Sequence, residues 1–111
     1  MTNPNTDHLH GALDLLVLKT LETLGPLNGW DIANRIQQIS EDVLTLNQGS
    51  LYPALQRLLT KRWVTSEWGT SENNRRARFY RITASGRKQL AKETQEWERF
   101  TAAVVRILQT N

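Results

Sequence analysis

The spacing of apolar residues changes period twice along this chain, and few folds accept that order. Leu9, Leu13, Leu16, Val17, Thr20, Leu21 and Leu24 recur at three- and four-residue steps, the signature of one helix face. Asp7 is placed to cap that helix and Gly25-Pro26 to stop it. Trp30, Ile32, Ala33, Ile36 and Ile39 mark the apolar side of a second helix, with Asn28 as its cap and Asp31 near its positive end. An extended link through Val43, Leu44 and Leu46 leads to a third helix with the stripe Leu51, Leu55, Leu58 and Leu59. Asn47 or Ser50 can cap it; Pro53, least costly near a helix start, favours Ser50. The period then drops to two. Trp63 to Trp68 sets Val64, Ser66 and Trp68 against Thr65 and Glu67, residues 69–74 are a polar turn, and Ala77 to Thr83 returns with Phe79, Tyr80 and Ile82. The helical period resumes from Ser85 to Leu108, roughly 36 Å of helix that outruns the body before it.

Three helices, a hairpin and a long helix predict a mainly α protein with a small β-hairpin, a winged helix-turn-helix followed by a long C-terminal dimerisation helix. The expected division is residues 1–83 for the winged domain and 84–111 for the dimerisation helix. The 111 residues suit one small core. With no cysteine, disulfides, thiolate nucleophiles and cysteine-held metals are excluded. No run approaches the roughly 20 apolar residues of a membrane span, and residues 1–8 lack the pattern of a signal peptide. A cytoplasmic protein without membrane contact is expected.

A net charge of +3 hides an asymmetry. Between Arg57 and Lys88 there are nine basic and two acidic residues, a local +7 that leaves −4 for the rest. Arginine outnumbers lysine ten to four, and arginine is the better bidentate ligand for phosphate and guanine. Such a patch points to a polyanionic partner, which for a winged helix-turn-helix is expected to be double-stranded DNA.

With the leucine stripe turned inward, the third helix presents Gln48, Gly49, Ser50, Tyr52, Pro53, Gln56 and Arg57 outward or at its flanks. Glutamine and arginine match adenine and guanine edges in the major groove, while Ser50, Tyr52 and the first-turn N–H groups suit a phosphate. The hairpin tip supplies Asn74, Arg75, Arg76 and Arg78 for a phosphate backbone or a minor groove. Strand alternation sets Arg76 and Arg78 on one side and Arg75 on the other. Arg81 lies deeper, within reach of Glu67 or Asp14.

On the last helix Leu90, Thr94, Trp97, Thr101, Val104 and Leu108 follow a 4-3 repeat flanked by Phe100 and Ile107. The first helix is too short to cover it, so a homodimer is expected, with Leu9, Leu13, Leu16, Leu90, Trp97, Phe100, Val104 and Leu108 at its interface. Trp97 near a two-fold axis offers a stacking surface for a planar small-molecule effector. Asp7, His8 and His10 are too few and too closely spaced for a metal site, so no metal or cofactor is expected. No nucleophile–base set or phosphate-cradling glycine loop is present, and no enzyme activity is expected. The competing readings are a winged-helix protein-interaction module and a small-molecule binder without DNA output.

Four segments carry a resemblance. Leu9-His10-Gly11-Ala12-Leu13-Asp14-Leu15-Leu16-Val17-Leu18, Gly25-Pro26-Leu27-Asn28-Gly29-Trp30, Gln48-Gly49-Ser50-Leu51-Tyr52-Pro53-Ala54-Leu55 and Arg75-Arg76-Ala77-Arg78-Phe79-Tyr80-Arg81-Ile82-Thr83, with the Thr83-Ala84-Ser85-Gly86 junction, resemble the PadR family of bacterial transcriptional regulators. The resemblance runs from about Leu9 to Leu108 and implies a dimeric repressor of the small-C-terminus branch. It implies that Gly49, Ser50, Leu51, Tyr52 and Pro53 open the recognition helix and that Arg75, Arg76 and Arg78 form the basic wing. In multidrug-responsive members of that branch a tryptophan on the last helix lines a ligand pore between subunits, a role that would fall to Trp97. The chain departs from the family at Asn28-Gly29-Trp30, where His-Gly-Tyr is usual, and by the acids Glu93, Glu96 and Glu98 around Trp97.

Overall fold

The computed structural model describes the backbone of residues 4–111 and the side chains from residue 12 onward. The elements run α1 (Pro4–Leu24), β1 (Leu27–Asn28), α2 (Gly29–Ile39), α3 (Gln48–Thr60), β2 (Val64–Thr70), β3 (Arg76–Ile82) and α4 (Ala84–Leu108). The expected mainly α architecture with a hairpin and a long last helix is what forms. No helix of the described residues is long and apolar enough to cross a membrane.

α1 starts earlier than the apolar spacing indicates. Proline suits the first helical position, where its missing N–H is no loss, and Asp7 therefore falls inside the helix rather than before it. The side chains of Asp7, His8, Leu9 and His10, and the roles considered for them, lie outside the described residues. Gly25 ends α1 at φ +78°, a left-handed conformation glycine adopts without strain, and its N–H donates to the Leu21 carbonyl at 3.0 Å.

Asn28 caps α2 through its side-chain oxygen, which accepts the Asp31 N–H at 2.8 Å. Ile32, Ala33 and Ile36 are buried, but Trp30 is 65% and Ile39 71% exposed, so the expected apolar face is shorter than its sequence. At 100° per residue Trp30 points about 200° away from Ile32. Ile39, seven positions on, shares the bearing of Ile32 within about 20° but lies in the last turn, at the edge of the core. Beyond it Glu41 and Asp42 take positive φ, and Ser40 Oγ secures the turn by accepting the Leu44 N–H at 3.1 Å and donating to the Gln37 carbonyl.

α3 begins at Gln48, not near Ser50. The Asn47 side chain accepts the Ser50 N–H at 2.9 Å, and this cap places Pro53 inside the helix. The bond Pro53 cannot donate would have gone to the Gly49 carbonyl, and both residues are exposed, so water can take its place. Leu51, Ala54, Leu55 and Leu58 are buried; Leu59 is half-buried against them.

The sheet has three strands, in the order β1-β3-β2. The third strand goes beyond the expected hairpin: β1 pairs Leu27 with Tyr80 and Asn28 with Phe79, tying the start of α2 to the hairpin. Between β2 and β3 the register runs from Val64 opposite Ile82 to Thr70 opposite Arg76. The hairpin closes with Ser71 N–H donating to the Arg75 carbonyl at 2.8 Å and Asn74 N–H to the Ser71 carbonyl at 2.9 Å. Asn74 sits at φ +59°, a conformation asparagine tolerates better than most residues.

One core joins Leu13, Val17, Leu18 and Leu21 of α1 to the buried faces of α2 and α3, to Val64, Tyr80 and Ile82 of the sheet, and to Leu90 of α4. α4 leaves this body soon after Leu90. The radius of gyration is 15.2 Å, against about 13 Å for a compact chain of this length, and the longest extent is 56 Å.

Candidate nucleic-acid interface

α3 separates its faces. Gln48, Gly49, Tyr52, Pro53, Gln56 and Arg57 are exposed, and Ser50 is half-exposed. The cap uses the Ser50 N–H, so of the first-turn donors Gln48 and Gly49 keep theirs for another partner. Arg57 is not simply outward: its Nη2 donates to Asp14 Oδ1 at 3.0 Å, a pair 43 residues apart that ties α3 to α1. Half-exposed pairs of this kind contribute about 0–1 kcal/mol, so Arg57 can exchange Asp14 for another anion at small cost. That contact also decides between the two acids considered for Arg81, which lies 3.9 Å from Glu67.

The hairpin stands beside α3 and leaves a groove of about 850 Å³ between them. Tyr52 and Gln56 line one wall, Trp68, Arg75, Arg76 and Arg78 the other, and Trp30 and Asp31 at the start of α2 close one end. Of the residues singled out by sequence, the groove gathers Tyr52, Gln56, Arg75, Arg76 and Arg78. Gln48, Gly49, Ser50, Pro53, Arg57 and Asn74 lie outside its lining. Among the described residues, none of Arg75, Arg76 and Arg78 has a carboxylate within 4.0 Å. Arg76 and Arg78 instead lie over Trp68. Trp30 and Trp68 were not among the expected site residues. The phase of Trp30 against Ile32 and Ile36 contains that signal; Trp68 needed the hairpin register.

Tyr80 forms part of the groove wall. Burial pushes its phenol above the usual value near 10, Arg78 draws it back down, and Tyr52 adds to the rise. The folded state therefore holds this proton to higher pH than the unfolded state. Its contribution is complete below about pH 10 and is lost as pH rises through the folded value. Melting temperature is expected to decline above about pH 10 in the native chain and more gently in Tyr80→Phe, as followed by circular dichroism across that range.

The last helix presents a second surface. Its N-cap Thr83 accepts the Gly86 N–H and donates to the Arg62 carbonyl, which anchors the first turn. Leu90 is buried within the chain, as is Leu13, and Leu16 is half-buried; these three expected subunit contacts belong to, or pack against, the chain's own core. Trp97, Phe100, Val104, Val105, Ile107 and Leu108 are exposed, with the Trp97 and Phe100 rings 5.7 Å apart.

Comparison with known proteins agrees with this arrangement. Residues 17–92 match the model of the transcriptional regulator PadR-like family. A transcriptional regulator from Clostridium thermocellum of known structure is 28% identical, with a TM-score of 0.81 over 94% of this chain and 99% of that one. A PadR-family transcription regulator from Clostridium difficile is 27% identical, with a TM-score of 0.72 over 87% of this chain and 98% of its own. A PadR-like regulator from Bacillus cereus shares the fold at 22% identity and a TM-score of 0.80, over 95% and 99% of the two chains. An uncharacterized protein of Lysinibacillus sphaericus is 25% identical over 92 residues, 83% of this chain and 84% of its own length. With the family model spanning most of its length, the chain belongs to the PadR-like family of transcriptional regulators.

Proposed function

We propose that the protein is a sequence-specific DNA-binding repressor that acts as a homodimer on a palindromic operator. The helix at 47–61 enters the major groove, and the wing at 70–76 lies on the flanking backbone. One observation carries this reading: Tyr52 and Gln56 of α3 border the same groove as Arg75, Arg76 and Arg78, none of which has a carboxylate within 4.0 Å among the described residues. Base edges in the major groove take glutamine and arginine; phosphates take the wing. Residues 1–83 form the reading head and 84–111 join two copies through the exposed apolar half of α4, so that two heads meet successive turns of one duplex. Repression follows from occupying a promoter. A planar effector stacked on Trp97 would release the operator, and by linkage operator DNA would weaken the effector's binding equally.

The test is duplex binding measured across salt concentrations for the native chain and for Arg75→Ala with Arg76→Ala. Both side chains are exposed, so folding is unaffected. Loss of two phosphate contacts should weaken binding on every sequence and flatten the slope of log K against log salt by about 2. A native chain that binds no duplex at low salt would be a protein-interaction module instead. Tight ligand binding with no effect on operator affinity would indicate a carrier without DNA output.

A further inference from the structure

Trp68 lies on the inner face of the sheet and yet is 58% exposed. Directly opposite residues of an antiparallel pair share one face. The register therefore puts Trp68, Thr70, Arg76 and Arg78 on the same side as Val64, Ser66, Tyr80 and Ile82. Near the helices that side is core, with Val64, Tyr80 and Ile82 buried. Toward the hairpin tip it leaves the core and becomes the wall of the groove. There the Cζ atom of Arg76 lies 4.4 Å, and that of Arg78 5.9 Å, from the centre of the Trp68 ring, both within the range of cation–π attraction. Glu67 does not compete for them, because it projects from the other face, alongside Arg81.

The geometry points to Trp68 as the positioning residue of the wing: its indole holds the Arg76 and Arg78 guanidiniums on the groove side of the hairpin, ordered before a sugar–phosphate strand arrives. This role rests on the reading that the face binds duplex DNA. An arginine on an open strand gives up side-chain freedom when it grips a phosphate, and that loss weakens binding. A stacked guanidinium has already given up much of it. Stacking engages only the face of the planar group and leaves its edge N–H donors for a phosphate. Arg75, in the closing pair of the turn, has no such ring beside it among the described residues and supplies charge.

Positioning and charge leave different marks on salt dependence. In the full-length chain, Trp68→Ala should weaken binding of a duplex operator selected from a random pool by about tenfold, the scale of two exposed cation–π contacts. The salt slope should stay where it was, because no cation is removed. Trp68→Phe, which keeps an aromatic face, should recover most of the affinity. In a chain already carrying Arg76→Ala and Arg78→Ala, adding Trp68→Ala should cost less than twofold, since nothing is left to position. An equal loss in both backgrounds would overturn the proposal, because Trp68 would then touch DNA itself or support the hairpin. So would unchanged affinity in Trp68→Ala.

A DNA-free measurement separates this idea from the reading it rests on. The Arg76 side-chain methylene protons should be shifted upfield by the indole ring current in the native chain and return to ordinary values in Trp68→Ala. No such shift would remove the stack, whatever the chain binds. A native chain that shows the shift but binds no duplex at low salt would overturn the role through failure of the DNA reading. That outcome is distinct from one in which the native chain binds and Trp68→Ala binds equally well.

Discussion

Cutting the chain after Lys92 is expected to lower its affinity for an operator duplex by roughly a hundredfold to ten-thousandfold while leaving the winged domain folded. The expectation follows from where α4 spends its apolar residues. Its buried positions are Gly86 and Leu90, in the first two turns, and the core they close is complete before Glu93. From Trp97 to Leu108 the large apolar side chains are exposed, and Trp97, Val104 and Leu108 keep the 4-3 spacing that suits a second helix. Six large apolar side chains in water on one projecting helix are costly for a lone chain. A partner copy is the economical cover, since a two-fold axis offers each helix the same seam. Removing 93–111 deletes that seam and no core residue. Each head then binds alone, without the gain in effective concentration that a linked second head provides. Sedimentation should show the native chain as a dimer at micromolar concentration and the shortened chain as a monomer. A native chain that sediments as a monomer would remove this role for α4.

How much of this was legible in the sequence depends on the range of the interactions involved. The periods of α1, α3 and the hairpin are local, and they placed the elements within a few residues. The two-residue strand β1 carries no alternation; it exists because Leu27 and Asn28 meet Tyr80 and Phe79 some fifty positions later. The start of α3 departs from the sequence expectation because the Asn47 cap outweighs the cost of an interior proline: the turn at Gly49 and Pro53 is exposed, so water repairs the missing bond. Trp30 is legible in phase but not in bulk: a large apolar residue suggests core, whereas its helical phase sets it opposite Ile32 and leaves it exposed. The wing arginines could be named from sequence. Their stacking on Trp68 could not, because it depends on a register fixed by the Ser71–Arg75 closure. The same holds for Arg57, whose partner Asp14 is distant in the chain. In each case the hidden part is a contact between elements, while the element itself is written locally.

Among the described glycines, Gly86→Ala is expected to be the most damaging alanine substitution. Alanine is the better helix former by about 1 kcal/mol, so on propensity alone the change in α4 should stabilise. Space decides otherwise. A β-carbon at Gly86 would fall 2.1 Å from the Trp63 carbonyl oxygen and 2.9 Å from Ile82 Cγ1. The oxygen belongs to backbone that cannot easily retreat, because Trp63 O accepts the Thr83 N–H at 3.0 Å. The neighbouring Arg62 carbonyl accepts both Thr83 Oγ1 and Ser85 Oγ. Relieving the clash means lifting the first turn of α4 off this clamp, losing its cap and loosening Leu90 from the core. The cost should be about 3–5 kcal/mol, well above the propensity gain. For a domain of this size that lowers the melting temperature by roughly 10–20 °C, to be followed by circular dichroism at the helical band. An unchanged or raised melting temperature would show that the helix does not pass this close to Trp63. The closeness also bears on function. α4 leaves the body at an angle set by the clamp, and in a dimer joined through α4 that angle fixes the distance between the two reading heads. Loss of operator affinity in Gly86→Ala at temperatures where the chain is still folded would therefore locate the clamp, rather than the apolar seam, as the element that sets head spacing.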